Sequence, residues 1–141
     1  MTSSPAWHTA REQSLTGGTA GAASELRELN GLPVLSWPAF DEHGLDAFVT
    51  TRDGGVSTGG YGSLNLGLMV ADDEAAVLTN RARVATALGN SLDDFVFCQQ
   101  SHQPNVQIVT EEHRGRGARS AIDAVPGTDA WSPPCPGSPW W

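Results

Sequence analysis

A glycine-rich segment, TTRDGGVSTGGYGSLNLG at residues 50–67, constrains the fold of this chain more than any other stretch. It overlaps a β-prone run, AFVTT at residues 47–51, and the adjacent glycines that follow permit the positive φ angles of a tight turn. The pattern predicts a strand that ends in a turn. Arg52, Ser63 and Asn65 supply donors for an anion or a sugar hydroxyl, which makes them candidate substrate-binding residues. The alternative is a pair of plain turns, since turns require the same residue types.

The composition excludes several classes of function. The chain has 141 residues, enough for one domain, and its net charge of -8 reflects 16 acidic residues against 8 arginines and no lysine. A Walker-type phosphate loop is therefore excluded, and nucleic acid is disfavoured as a partner. No signal peptide or window of about 20 apolar residues is present, so no membrane association is expected. Cys98 and Cys135 form no CxxC pair, which suits a reducing, cytoplasmic location.

The N-terminal residues 1–31 are rich in Thr, Ser, Ala and Gly and lack sustained apolar periodicity. They are predicted to form a disordered leader, with at best a short helix near residues 22–29. Order is expected from Leu32 onward, where apolar residues punctuated by prolines indicate an extended segment.

A helix is predicted to begin at Asp72 or Asp73, whose carboxylates can cap its first turn, and to end at Gly89. Residues 95–99 are predicted to form a strand that is apolar on both faces, paired with a second strand at residues 106–109. His102 lies between these two strands.

His102 is a candidate catalytic residue and metal ligand because neutral imidazole binds zinc well. The alternative is a hydrogen-bonded loop histidine, since a catalytic zinc needs about three protein ligands and no other histidine has ligand spacing. Cys98, among apolar neighbours, is expected to be an inert thiol. Arg114, Arg116 and Arg119 can meet a phosphate or lie in a solvated loop.

Five motifs in a fixed order carry a family resemblance. They are TTRxGGVS at residues 50–57, SLNLG at 63–67, DDxxxVxxNR at 72–81, QxH at 100–102 and PGTDA at 126–130. Together they resemble the YfiH/laccase-domain family, which has been called polyphenol oxidase and purine nucleoside phosphorylase with adenosine deaminase activity. The resemblance implies an α/β fold of packed β-sheets with outer helices, a zinc ion, and a site for phosphate and adenosine, inosine or methylthioadenosine.

The resemblance also implies a metal site of three residues, of which only the QxH histidine carries over, to His102. The family's later ADC and HxGWRG motifs do not occur, and Cys135 lies in SPPCPG, so it is not assigned as a ligand. Two alternatives stay open. A copper-dependent oxidase would use the same histidine, and a non-catalytic module would bind a phosphate-bearing ligand through the glycine-rich segment and the arginines.

The tail at residues 131–141, WSPPCPGSPWW, holds three of the five tryptophans and four of the nine prolines. One choice of codons for it, regrouped by a single base, reads as a continuation typical of the family. The chain is therefore interpreted as a leader at 1–31, the N-terminal part of a YfiH-like domain at 32–130, and a frameshifted tail at 131–141. The product is predicted to be inactive, and the coding DNA tests the frameshift.

Overall fold

The computed structural model describes residues 24–132, apart from the side chains of residues 42 and 43. The described residues belong to two compact units. The first unit comprises residues up to Gly67 together with Ala71–Asn90, and the second comprises Leu68–Val70 and the residues from Ser91 onward. Most of the predicted leader, at residues 1–23, and most of the predicted tail, at residues 133–141, lie outside the described part.

An antiparallel sheet forms one side of the first unit. Its strands are β1 (Glu25–Leu29), β2 (Leu32–Ser36) and β3 (Phe48–Thr50), in the order β1-β2-β3. Leu32, Val34 and Ser36 are buried, and Phe48 and Thr50 pair with β2 on the same face, while Val49 is exposed. The period of two thus points one face of the sheet toward the core. After β3 the chain bends at Arg52 and Gly54, and Gly54 has the positive φ, 95°, that the glycine pair was predicted to allow.

The end of the predicted disordered leader is ordered in the structure. Residues 25–29 form a strand, so the short helix expected there is wrong over the described residues, and ordered structure begins before Leu32. Asn30 and Gly31 both have positive φ, 45° and 90°, and they join β1 to β2 as a two-residue hairpin turn. Asn-Gly is favoured in this turn because both positions need positive φ. This local signal was present in the sequence.

The helix α1 (Glu74–Ala87) confirms the predicted helix to within two residues at each end. The Asp73 carboxylate accepts a hydrogen bond from the backbone N–H of Ala75 at 3.2 Å, and Gly89 follows the helix with a φ of 72°. The core of this unit is a cluster of apolar residues from β2, the glycine-rich segment and α1, namely Leu32, Leu64, Val84 and Ala87. Arg81 is also buried and donates to the carbonyl of Leu66, and burial lowers the pKa of Arg81 to about 10.

The second unit differs from the prediction in its strand pairing. Residues 95–99 are extended but make only an isolated parallel bridge, between Cys98 and Val125. The strand β4 (Val106–Ile108) pairs in parallel with β5 (Ala130–Ser132), so the predicted pairing of residues 95–99 with 106–109 is wrong. The reason is that residues 100–105 are bonded to residues 127–130 and do not form a hairpin. Since β5 includes Trp131 and Ser132, regular structure also continues past the predicted boundary at residue 130.

Within the described residues, sheets combine with an α-helix, as the predicted α/β class requires. No helix in residues 24–132 is long and apolar enough to cross a membrane.

Candidate functional site

His102 lies in an exposed loop of the second unit, the His102 loop (residues 100–105), which leads into β4. Its backbone has a φ of 58°, in the left-handed region that non-glycine residues rarely adopt. Among residues 24–132 its imidazole makes no hydrogen bond or ion pair. The ring is therefore available to a ligand, while the backbone that carries it needs support.

The Asp129 carboxylate supplies that support. Its Oδ1 accepts hydrogen bonds from the backbone N–H groups of Ser101 at 3.0 Å and His102 at 2.7 Å. Its Oδ2 accepts from the Ser101 hydroxyl at 2.9 Å and from the backbone N–H of Gln103 at 3.0 Å. One side chain thus binds three consecutive residues of the loop, and His102 is the middle one.

Further bonds tie the His102 loop to the segment that carries Asp129. The side-chain amide of Asn105 donates to the carbonyl of Gly127 at 3.0 Å, and the carbonyl of Asn105 accepts from the N–H groups of Asp129 and Ala130 at 3.2 Å each. The N–H of Thr128 donates to the carbonyl of Gln99 at 3.1 Å. The QxH and PGTDA motifs, which are separate in sequence, therefore form one hydrogen-bonded structure.

The same hydrogen bonds favour the ionised form of the Asp129 carboxyl. The N–H of Gln103, together with the N–H of His102 and both donors of Ser101, holds the pKa of the Asp129 carboxyl below its usual value, although partial burial opposes this. Burial, with a smaller effect of the Asp129 charge, raises the pKa of the Cys98 thiol. A raised pKa disfavours the thiolate, so the structure agrees with an inert Cys98.

His102 can supply one ligand of a metal site, but the described residues do not supply a complete set of ligands. Within residues 24–132 no group of three or more His, Cys, Asp or Glu side chains is placed to hold a metal ion. The Nδ1 of His113 accepts from the backbone N–H of Thr110 at 3.2 Å, so this histidine has a local structural role. Cys135 and His8 lie outside the described residues.

The glycine-rich segment, in the first unit, is organised around Asn80 of α1, which is fully buried. The Asn80 side-chain oxygen accepts from the N–H of Val56 at 2.8 Å. Its amide group donates to the Ser57 hydroxyl and to the carbonyls of Ser63 and Asn65, at 2.9, 3.0 and 2.9 Å. Asn80 was not singled out from the sequence, although it lies within the DDxxxVxxNR motif.

The three predicted substrate-binding residues differ in how many donors remain for a ligand. The Ser63 hydroxyl donates to the carbonyl of Arg52 at 3.0 Å, and the Asn65 amide donates to the Asp72 carboxylate at 2.9 Å. Arg52 is exposed and donates from Nε and Nη2 to the carbonyl of Gly62, at 2.8 and 2.6 Å. Its Nη1 makes no hydrogen bond within the described residues, so Arg52 keeps donors that can meet an anion.

The three arginines of the second unit form ion pairs or hydrogen bonds with other residues of that unit. Arg114 forms ion pairs with Asp94 and Glu111, and Arg119 pairs with Asp93 at 3.0 Å. The Nε of Arg116 donates to the carbonyl of Asp123 at 3.0 Å. A phosphate would have to compete with these bonds, which weakens the interpretation of the arginines as a phosphate site.

Comparisons with known proteins add to this geometry. The model of the family described as multi-copper polyphenol oxidoreductase laccase matches residues 46–138 of the chain. The match covers β3, the glycine-rich segment, α1 and the His102 loop, and it continues past residue 130.

Curated relatives match a similar part of the chain. The purine nucleoside phosphorylase YlmD of Geobacillus stearothermophilus is 45% identical over 86 residues, which are 61% of this chain and 31% of that protein. YlmD of Bacillus subtilis is 37% identical over 100 residues, 70% of this chain and 36% of that protein. The chain thus spans about a third of the length of these relatives.

Solved structures agree with the fold. The crystal structure of the hypothetical protein YfiH from Bacillus licheniformis matches with a TM-score of 0.70 and 34% identity, covering 77% of this chain and 40% of that chain. YlmD from Geobacillus stearothermophilus matches with a TM-score of 0.56 and 33% identity, covering 77% and 37%. These matches confirm the fold predicted from the five motifs.

Proposed function

The chain belongs to the multi-copper polyphenol oxidoreductase laccase family, and from this premise we propose that it carries the N-terminal part of a site that phosphorolyses purine nucleosides. Support comes from the curated relatives, which are named purine nucleoside phosphorylases. In this reaction a phosphate oxygen attacks C1′ of the ribose while the bond from C1′ to the purine nitrogen breaks. The electron pair goes to the base, which takes up a proton, and the products are ribose 1-phosphate and a free purine.

His102 carries the proposal because its imidazole is exposed and its backbone is bonded by Asp129 on the loop that leads into β4. We assign it as the catalytic histidine and as one ligand of a zinc ion. Zinc would supply a Lewis acid and could lower the pKa of a bound water to about 7. That chemistry also suits deamination of adenosine, the second activity that the resemblance implies.

Arg52 is proposed to bind the phosphate. It is exposed, it is held against the carbonyl of Gly62, and it retains unused guanidinium donors, which match the geometry of phosphate oxygens. Ser63 and Asn65 are proposed to contribute by shaping the segment, because their donors bind Arg52 and Asp72. Adenosine, inosine and methylthioadenosine are the proposed nucleosides, and the proposed location is the cytoplasm, without a nucleic-acid or membrane partner.

Copper-dependent oxidation of phenols is the second candidate function. The description of the matching family favours it, and imidazole is a ligand for copper as well as for zinc. Both functions use His102, so the substrate and the metal have to be tested together.

A chimera tests the proposal. Residues 46–132 of the chain would replace the aligned segment of YlmD from Geobacillus stearothermophilus, and purine release from inosine would be measured with and without phosphate. We expect phosphate-dependent release with zinc, its loss in His102→Ala, and a raised KM for phosphate in Arg52→Ala. The intact 141-residue chain, assayed in parallel, is expected to be inactive.

The controls separate the alternatives. Arg83→Ala removes another exposed arginine of the same unit, which donates to the carbonyl of Gly54, and it should leave the KM for phosphate unchanged. Full activity in His102→Ala contradicts the proposal. Copper-dependent oxidation of a phenol without purine release supports the oxidase.

A further inference from the structure

We propose that Asp129 is a positioning residue that holds the His102 imidazole in the orientation its function requires. The inference deepens the proposed function, because it rests on His102 as the functional side chain. It concerns a residue that touches neither substrate nor metal and acts through the backbone of its neighbour.

The backbone of His102 is in an unfavourable conformation. With a φ of 58° the residue is in a conformation that a non-glycine residue adopts at a cost in free energy. Without bonds that hold it there, a histidine favours negative φ. Its left-handed conformation therefore has to be imposed by bonds from elsewhere in the unit.

The Asp129 carboxylate provides those bonds. The N–H of His102 makes the shortest of the bonds to the Asp129 carboxylate, 2.7 Å, and the N–H groups on either side of it make bonds of 3.0 Å. Hydrogen bonds to a charged acceptor are stronger than neutral ones. Since three successive N–H groups converge on one carboxylate, the peptide planes on both sides of His102 have fixed orientations, and so does the direction of its Cα–Cβ bond.

The Asp129 carboxylate is itself held in place. Backbone bonds from Asp129 and Ala130 to the carbonyl of Asn105, and a side-chain bond from Asn105 to Gly127, fix the segment that carries it. The buried Thr128 precedes it. The carboxylate is therefore a rigid acceptor, and the His102 loop takes its conformation from it.

Asp129→Asn is the decisive variant. It keeps the shape of the side chain but removes the charge and places an NH₂ group where one carboxylate oxygen accepts from Gln103. In the full chain, amide hydrogen exchange by NMR at residues 101–103 should accelerate about tenfold or more. The Cα and Cβ chemical shifts of His102 should move from left-handed values toward those of an unstructured chain.

Two comparisons separate positioning from general stabilisation. Asp123→Asn changes another carboxylate of the same unit, one that accepts from the N–H of Gly117, and it should leave exchange at residues 101–103 unchanged. In Asp129→Asn, the amides of Phe97 and Val125, which lie outside the loop, should keep their protection. Acceleration that is equal throughout the unit would overturn the inference, because it would reveal a stabilising role alone.

A milder variant covers the case in which Asp129→Asn does not fold. Ser101→Ala removes only the hydroxyl bond to the carboxylate, and it should raise exchange at residues 101–103 severalfold. Unchanged exchange and unchanged His102 shifts in Ser101→Ala, with Asp129→Asn unfolded, would overturn the inference.

A zinc titration distinguishes failure of the inference from failure of the proposed function. Zinc should shift the imidazole resonances of His102 in the unsubstituted chain. If it does so, but Asp129→Asn leaves the His102 shifts and loop exchange unchanged, the positioning role is wrong while the proposed function stands. If zinc leaves His102 unaffected both in the chain and in the YlmD chimera, the assignment of His102 as a ligand is wrong, and the role proposed for Asp129 in the reaction is wrong with it.

Discussion

The side-chain amide of Asn80 donates a 3.0 Å hydrogen bond to the backbone carbonyl of Ser63, so a fully buried helix residue holds the middle of the glycine-rich segment. The same side chain bonds Val56, Ser57 and Asn65. The segment is therefore a polar network centred on Asn80, and Gly55 allows its backbone to approach the backbone of Ser63 and Leu64 closely.

Asn80→Ala should destabilise the chain by roughly 2 to 4 kcal/mol, because it leaves buried donors and acceptors of the segment without partners. Urea unfolding measures this. Thr79→Ala changes the exposed neighbour, whose hydroxyl bonds the carbonyl of Ala75, and it should alter stability by less than about 0.5 kcal/mol. Similar losses in the two variants would contradict the network.

Gly55→Ala should also destabilise, by more than about 2 kcal/mol, since overpacking against backbone forces the structure to shift. A Cβ at Gly55 would overlap the Ser63 carbonyl and lie 2.5 Å from the Cα of Leu64. Gly60→Ala is the matched control, because a Cβ there meets nothing within 4 Å. Thermal unfolding compares the two, and equal melting temperatures would show that the close approach is absent.

Gly31→Ala tests the hairpin that replaced the end of the predicted leader. Its φ of 90° is strained for any residue with a Cβ, although no atom lies within 4 Å of the Cβ position. The loss of stability should be about 1 kcal/mol and should come from the backbone alone. In a disordered leader the substitution would have no effect, so an unchanged urea midpoint would contradict the hairpin.

The lowered pKa of the Asp72 carboxyl predicts that the free energy of unfolding depends on pH. Hydrogen bonds from Asn65 and Ser57 hold the pKa of the Asp72 carboxyl below its usual value of 3.8 in the folded chain. A lowered folded pKa contributes stability above pH 3.8, and the contribution is lost as the pH falls through the folded pKa.

The measurement compares the chain with Asp72→Asn by urea unfolding from pH 7 to pH 2. The unsubstituted chain should be more stable at pH 7, and the difference should shrink below about pH 4, where the carboxyl begins to be protonated in the unfolded chain. A difference that stays constant across this range would show that the carboxylate charge does not matter.

Local signals allowed the sequence to predict some elements well. The bounds of α1 follow from the Asp73 cap and from Gly89, and both act within one helical turn. The Asn30-Gly31 turn is also a local signal, so the hairpin could have been predicted from the sequence. The prediction of a disordered leader followed instead from the weak apolar periodicity of the residues before Asn30. The five motifs, taken in order, correctly predicted the family.

By itself, then, the sequence determined the family, the helix, the end of β3 before the glycines and the position of the QxH histidine between residues 95–99 and β4. Only the tertiary structure showed that Asn80 organises the glycine-rich segment, that Asp129 holds His102, and that β4 pairs with β5. The bond from Val56 to Asn80 spans 24 positions and the bond from His102 to Asp129 spans 27. Residue spacing reports which side chains share a face of one element, whereas bonds between distant segments depend on the path of the chain, which the folded structure alone reveals.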